Sequence, residues 1–211
     1  MKKLILFFIL TNLSYAEVSK VIFLKGELFI NNKLARNGFV LNWDDEVKTG
    51  KRSLAVLAIY PGVKVKLKSN TSIVINKPIK QKKIRTFSYF IKQGEMFIKA
   101  NRTKENRYSV ETKNAVMGVR GTEFFVSTQK KVESKDWMCV NKGQVEVKIA
   151  KGSVLVNAGE GVAISKEKVP AVKKYKWTKR LNWKMEGLFS EIEDHTNIQN
   201  LNYDLENINY D

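Results

Sequence analysis

The chain has 211 residues, 43% of them hydrophobic, a formal net charge of +17 and one cysteine, Cys139, so it must build a domain of ordinary size by packing alone, with no intramolecular disulfide. Its basic residues are 31 Lys against 7 Arg. Because Arg is the side chain that grips phosphate in a fork, the Lys excess reads as solvated surface; so high a charge would itself suggest nucleic acid, a partner that the export signal carried by residues 1–16 argues against.

The first element is MKKLILFFILTNLSYA, with two lysines, a short apolar stretch from Leu4 to Leu10, and small residues before Glu17. This is the pattern of a secretory signal peptide over residues 1–16, cleaved between Ala16 and Glu17. It predicts a bacterial protein that is periplasmic or secreted. No cysteine stands near the cleavage point to carry a lipid anchor.

From residue 17 to 169 the pattern is short, alternating and punctuated. The stretch GVKVKLK, Gly62 to Lys68, alternates Val63, Val65 and Leu67 with Lys64, Lys66 and Lys68, which predicts a half-buried strand with a basic outer face. SLAVLAIYPG before it runs into a Pro-Gly turn, and NTSIVINKP after it ends at a proline. Further strands are predicted at Val21 to Phe23, Glu27 to Ile30, Glu95 to Lys99, Tyr108 to Glu111, Glu123 to Ser127, Trp137 to Val140, Gln144 to Ile149 and Ser153 to Val156. Many short strands with close turn signals predict an all-β sandwich or roll of mainly antiparallel strands.

One pattern recurs: LKGELFIN, KQGEMFIK and NKGQVEVK each place Glu or Gln and an alternating run after a glycine, at Gly26, Gly94 and Gly143. Unequal separations exclude a regular solenoid, so these read as equivalent corners of one β architecture.

Beyond Pro170 the character changes. Trp177, Leu181, Met185, Leu188 and Ile192 fall at helical spacing, which predicts an appended amphipathic helix over residues 170–196. Its first half is basic, with Lys176, Lys179 and Arg180 near Trp177 and Trp183, a combination suited either to packing on the β-domain or to peripheral contact with an anionic membrane surface. Residues 186–211 carry seven acids and no Lys or Arg, while residues 17–185 carry 36 basic and 14 acidic groups. The last stretch, 197–211, reads as an acidic tail without structural period.

No catalytic set is visible. His195 is the only histidine and lies in the polar tail. Asp44, Asp45 and Glu46 are adjacent carboxylates, and neighbours in a strand or turn point different ways, so a solvated turn is favoured over a cation site. Trp43 and Tyr60 could stack on a sugar, although core or corner packing is the commoner use of such rings. Cys139, between Met138 and Val140, reads as a small buried hydrophobe.

The run VETKNAVMGVRGTEFFVS resembles the signature of the FecR domain family, through Thr112, Ala115, Val116, Val119, Arg120, Gly121, Thr122 and Phe124. The order of neighbouring motifs is similar as well: WDDEVKTG resembles the family's Gly-Asp-x-Val-x-Thr-Gly segment, with Asp44 in place of the first glycine, and NKGQVEVK and VNAGEGVAIS resemble the strands that follow the signature. The resemblance spans about Val21 to Ser165; the want of acid, base, nucleophile or metal ligands leads to the expectation of a non-enzymatic domain with no cofactor or metal. Family members include regulators that pass a signal from an outer-membrane transporter to a cytoplasmic sigma factor, through a sigma-binding segment and a membrane helix ahead of the periplasmic domain. This chain resembles the free-standing exported form, a binding or scaffolding module for an envelope protein or an anionic envelope polymer, or an adaptor in transporter-linked signalling. Within the signature, Arg120 is expected to hold a strand corner by donating to backbone carbonyls. The lesser expectation is an anion clamp formed by Arg120 with Lys64, Lys66 and Lys68.

Overall fold

The computed structural model describes residues 19–129, 135–175, 178 and 181–185. The expected signal peptide and acidic tail, with Lys176, Trp177, Lys179, Arg180, Leu188, Ile192 and His195, lie outside the described residues.

Among those residues the alternating pattern yields seventeen strands. They are β1 (Lys20–Lys25), β2 (Leu28–Ile30), β3 (Lys33–Leu34), β4 (Glu46–Thr49), β5 (Leu54–Ile59), β6 (Val63–Leu67), β7 (Ser72–Ile75), β8 (Ile79–Gln81), β9 (Ile84–Ala100), β10 (Asn106–Glu111), β11 (Val116–Val119), β12 (Glu123–Thr128), β13 (Asp136–Lys142), β14 (Gln144–Ile149), β15 (Gly152–Asn157), β16 (Glu160–Ile164) and β17 (Lys173–Lys174). The all-β expectation holds.

Pairing divides the strands into two sheets that share the 17-residue β9. The first runs β1-β5-β6-β9-β12-β13-β16-β17 and is antiparallel throughout. The second runs β3-β2-β4-β7-β9-β10-β11-β14-β15, with β8 on the start of β9, and only its β9/β10 pair is parallel. Residues up to Gln93 of β9 serve the second sheet, and residues from Gly94 serve the first.

Period-two alternation sends Leu57, Val65, Ile98, Phe124 and Val140, one row of the first sheet, inward. They meet Ile75, Tyr89, Val110, Met117 and Val147 of the second sheet in one buried core. Burial at about 25 cal/mol per Å² of apolar surface makes this core the main stabilising term.

The outer face of the first sheet is also buried along one row, apolar except for one lysine. Val56, Lys66, Phe97, Phe125, Cys139 and Gly161 are successive register partners across six strands. Leu181 and Met185 bury themselves on Phe97, Phe125 and Cys139, with Tyr175 and Trp183 packed alongside. The C-terminal segment is therefore a strap laid across the strands.

This corrects the expected helix: residues 170–175 and 181–185 contain the short β17 and irregular backbone, not a helix. Three competing hydrogen bonds explain it. The Lys66 ammonium donates to the carbonyls of Asn182 and Lys184, and the Asn182 side chain accepts from the Lys184 amide at 3.0 Å, so groups that a helix would use are already taken.

Candidate functional site

The three Gly-Glu/Gln repeats are three of the places where the chain passes between sheets. Gly26 links β1 to β2, Gly94 bends β9, and Gly143 links β13 to β14, with φ of 78°, 98° and 79°. A Cβ would stand 2.4 Å from Ser53 Oγ at Gly26 and 2.4 Å from Thr71 Oγ1 at Gly94. Those hydroxyls accept the next backbone amides, Glu27 N at 2.9 Å and Glu95 N at 3.0 Å.

The Arg-Gly-Thr run is another crossing, from β11 in the second sheet to β12 in the first. Upstream, Thr112 closes the β10/β11 hairpin: its Oγ1 accepts the amides of Asn114 and Ala115, both at 3.0 Å. Ala115, Val119 and Phe124 are buried in the core. Gly121 has φ 67°, and its missing Cβ would meet Arg102 Cβ at 2.8 Å. Thr122 is 1% exposed, and its carbonyl accepts Ala100 N at 2.9 Å.

Arg120 does not do what the sequence suggested. It is exposed and, among the described residues, makes no hydrogen bond or ion pair. The corner is held by Gly121 and Thr122 without it. Glu123, three residues on, is occupied by Asn141 Nδ2 at 2.9 Å, Lys99 at 3.2 Å and Lys142 at 3.6 Å. Burial pushes this carboxyl up, but the Asn141 hydrogen bond and the two ammonium groups outweigh it and hold it below the ordinary carboxylate value.

The expected basic face of β6 is corrected too. Lys66 is fully buried beneath the strap, with its ammonium 4.1 Å from the Phe97 ring centroid. Lys68 pairs with Glu95 at 2.9 Å. Lys64 stands half-buried opposite Lys99. Lys64, Lys66 and Lys68 thus do not form an open anion clamp with Arg120. Trp183, open to either packing on the β-domain or membrane contact in the sequence, packs edge-on to Phe97 at 5.3 Å and donates Nε1–H to the Thr178 carbonyl at 2.9 Å.

The three adjacent carboxylates are engaged separately. Asp45 is buried and accepts Asn31 Nδ2 and the Asn42 amide, both at 2.7 Å. Asp44 accepts the Lys77 amide at 3.0 Å, and Glu46 pairs with Lys92 at 2.7 Å and Lys48 at 3.0 Å. No metal-holding cluster occurs among the described residues.

The corners at Gly94, Gly121 and Gly143 and the Thr112 turn lie within residues 45–155, more than half the chain, which match the family described as FecR protein. The chain belongs to that family. Two crystal structures of a proposed anti-sigma factor from Parabacteroides distasonis ATCC 8503, at 1.65 and 2.50 Å, share its fold with a TM-score of 0.57 each. Both are 22% identical to it, cover 76% of this chain, and are covered over 73% and 72% of their own length. No curated protein matches the chain.

In this FecR domain the second sheet ends in an exposed edge strand, β15. Among the described residues β15 pairs only with β14, so its far edge carries backbone groups without a strand partner. Leu155 on it is 50% exposed, and Val116, two strands inward, is 42% exposed. Sequence reading found β15 as a strand but not as an edge, because neighbour order is a long-range property.

Proposed function

We propose that this is an exported, non-enzymatic FecR-domain protein of the bacterial envelope that acts as a binding and scaffolding module for a protein partner. Membership of the FecR family over residues 45–155 carries the reading. The open β15 edge supports a protein over an anionic polymer, since an unpaired edge suits strand addition and much of the expected lysine face is already engaged. A second reading, an adaptor in transporter-linked signalling, takes its support from the anti-sigma description given to the structural relatives.

A photo-crosslinking residue at Leu155, with Leu34 on the opposite edge strand β3 as comparison, tests the reading in intact cells. The expected result is a discrete protein adduct from Leu155 in the envelope fraction, with none from Leu34. A transporter or anti-sigma protein in that adduct selects the second reading. Recovery of the protein solely from the cytoplasm, or no adduct at either edge, refutes the proposal.

A further inference from the structure

Two aromatic rings far apart in sequence lie exposed on one cleft. Trp43 is 37% exposed and Tyr60 is 43% exposed. They line a cleft of about 500 Å³ with Ser19, Asn42, Asp44 and Lys77. That volume lies within the roughly 300–1,000 Å³ typical of small-molecule sites.

The rings are held by a buried aromatic chain. Trp43 packs on Phe87 at 5.8 Å between ring centroids, and Phe87 stacks on Tyr108 at 5.7 Å. Tyr108 donates its hydroxyl hydrogen to the carbonyl of Pro61, the residue next to Tyr60. The Tyr60 amide in turn donates to Ser19 Oγ at 2.9 Å. Phe87 and Tyr108 are only 2% and 3% exposed, so the frame is part of the core and the outer rings are placed before any ligand arrives.

The polar rim is fixed and largely unused. Asp44 sits at φ 68°, its Oδ1 accepting the Lys77 amide. Among the described residues, Asp44 Oδ2, the Asn42 side-chain amide, Trp43 Nε1, the Tyr60 hydroxyl and the Lys77 ammonium have no hydrogen-bond or ion-pair partner.

We infer that this cleft is a carbohydrate-binding site, taking a short stretch of a glycan chain. A pyranose ring has one face of C–H bonds, which packs on an aromatic face, and a rim of hydroxyls, each a donor and an acceptor. A carboxylate, an amide and an ammonium beside two rings meet that rim. A purely apolar ligand would leave these polar groups unpaired, and a simple anion would face Asp44. The site lies outside the β15 edge and goes beyond the protein-partner reading, so either can fail alone.

The test uses the mature full chain, labelled at its tryptophan indoles and titrated by NMR with chitotetraose, cellotetraose and maltotetraose at millimolar concentration. Pelleting with purified peptidoglycan sacculi at physiological and at high salt is run in parallel. At least one tetrasaccharide should shift the Trp43 indole resonance, and its binding should weaken tenfold or more in Trp43→Ala and in Tyr60→Ala. Tyr60→Ala leaves the Trp43-Phe87-Tyr108 chain in place, so it decides the matter even if Trp43→Ala does not fold. Asp44→Asn keeps a residue type that tolerates positive φ and should weaken binding several-fold with the fold unchanged. Absence of any tetrasaccharide effect overturns the inference. So does binding to sacculi that high salt abolishes but Trp43→Ala and Tyr60→Ala leave alone, because charge alone would then be responsible.

Discussion

The strap over the first sheet can be weighed through Cys139, a single chemical reporter lying beneath it. Cys139 is fully buried, and burial pushes its thiol up, away from the reactive thiolate. Its cover consists of Leu181 and Met185, each 5% exposed. Replacing Leu181 by Ala removes buried aliphatic groups from a site at the edge of the structure. The low end of the range for such changes, about 2 kcal/mol, therefore applies. If the thiol is labelled through local lifting of the strap, that loss raises the open population roughly thirty-fold, since about 1.4 kcal/mol is tenfold.

The assay is the rate of Cys139 modification by an aromatic disulfide reagent in the folded protein, at several low urea concentrations. Local opening exposes little surface and gives a shallow urea dependence, whereas labelling through global unfolding gives a steep one. Leu181→Ala should label about thirty times faster with the shallow dependence, and truncation after Tyr175 should label at least as fast. Equal labelling rates in wild type and truncated protein, both still folded, would refute the claim that the strap shields this face.

Two further perturbations follow from the corners and the ion pairs. Arg120→Ala should change stability by no more than about 0.5 kcal/mol in urea unfolding, because the side chain is exposed and makes no bond that its loss would break; a large loss would restore the corner role expected from sequence. Glu46 is held at about 2, below the ordinary 4.5, chiefly by the Lys92 hydrogen bond, against which burial acts, with Lys48 and Ser72 assisting. A depressed carboxyl contributes stability that is complete above 4.5 and disappears as pH falls toward 2, so Glu46→Gln should be modestly destabilised at pH 6 and should converge on wild type across that window. A gap that widens in acid would show the sign to be wrong.

The strand set was legible because period two is a local property, and GVKVKLK forms β6 as read. What covers its outer face was not legible: Lys66 is buried by a segment 116 residues away. The strap itself carried a misleading signal. Apolar residues four apart suit one helical face, yet Leu181 and Met185 use the same spacing to reach an apolar row on the first sheet. Gly94 was read as a turn that starts a strand, and it is a bend inside one continuous strand, so the first half of β9 went unseen. Its parallel pairing with β10 has no local signature at all. Of the candidate sites, Trp43 and Tyr60 were noticed from their residue type, but only the Phe87-Tyr108 chain brings them to one cleft.

The glycine corners explain why the signature contains these residues and why its arginine stays outside. At Gly26 and Gly94 a hydroxyl residue fills the space that a Cβ would need and accepts the following amide. At Gly143 the neighbour is Thr122, whose methyl Cγ2 would lie 2.7 Å from an added Cβ and whose buried hydroxyl has no hydrogen-bond partner among the described residues. Thr122 therefore serves two crossings, ending the one at Gly121 and forming the floor of the one at Gly143. A larger residue would collide with the Gly143 turn, and a residue other than glycine at 121 would meet both a positive φ and Arg102. With the backbone constrained from both sides, the corner needs no guanidinium to hold it. Arg120 is left in solvent, and its guanidinium makes no hydrogen bond or ion pair among the described residues.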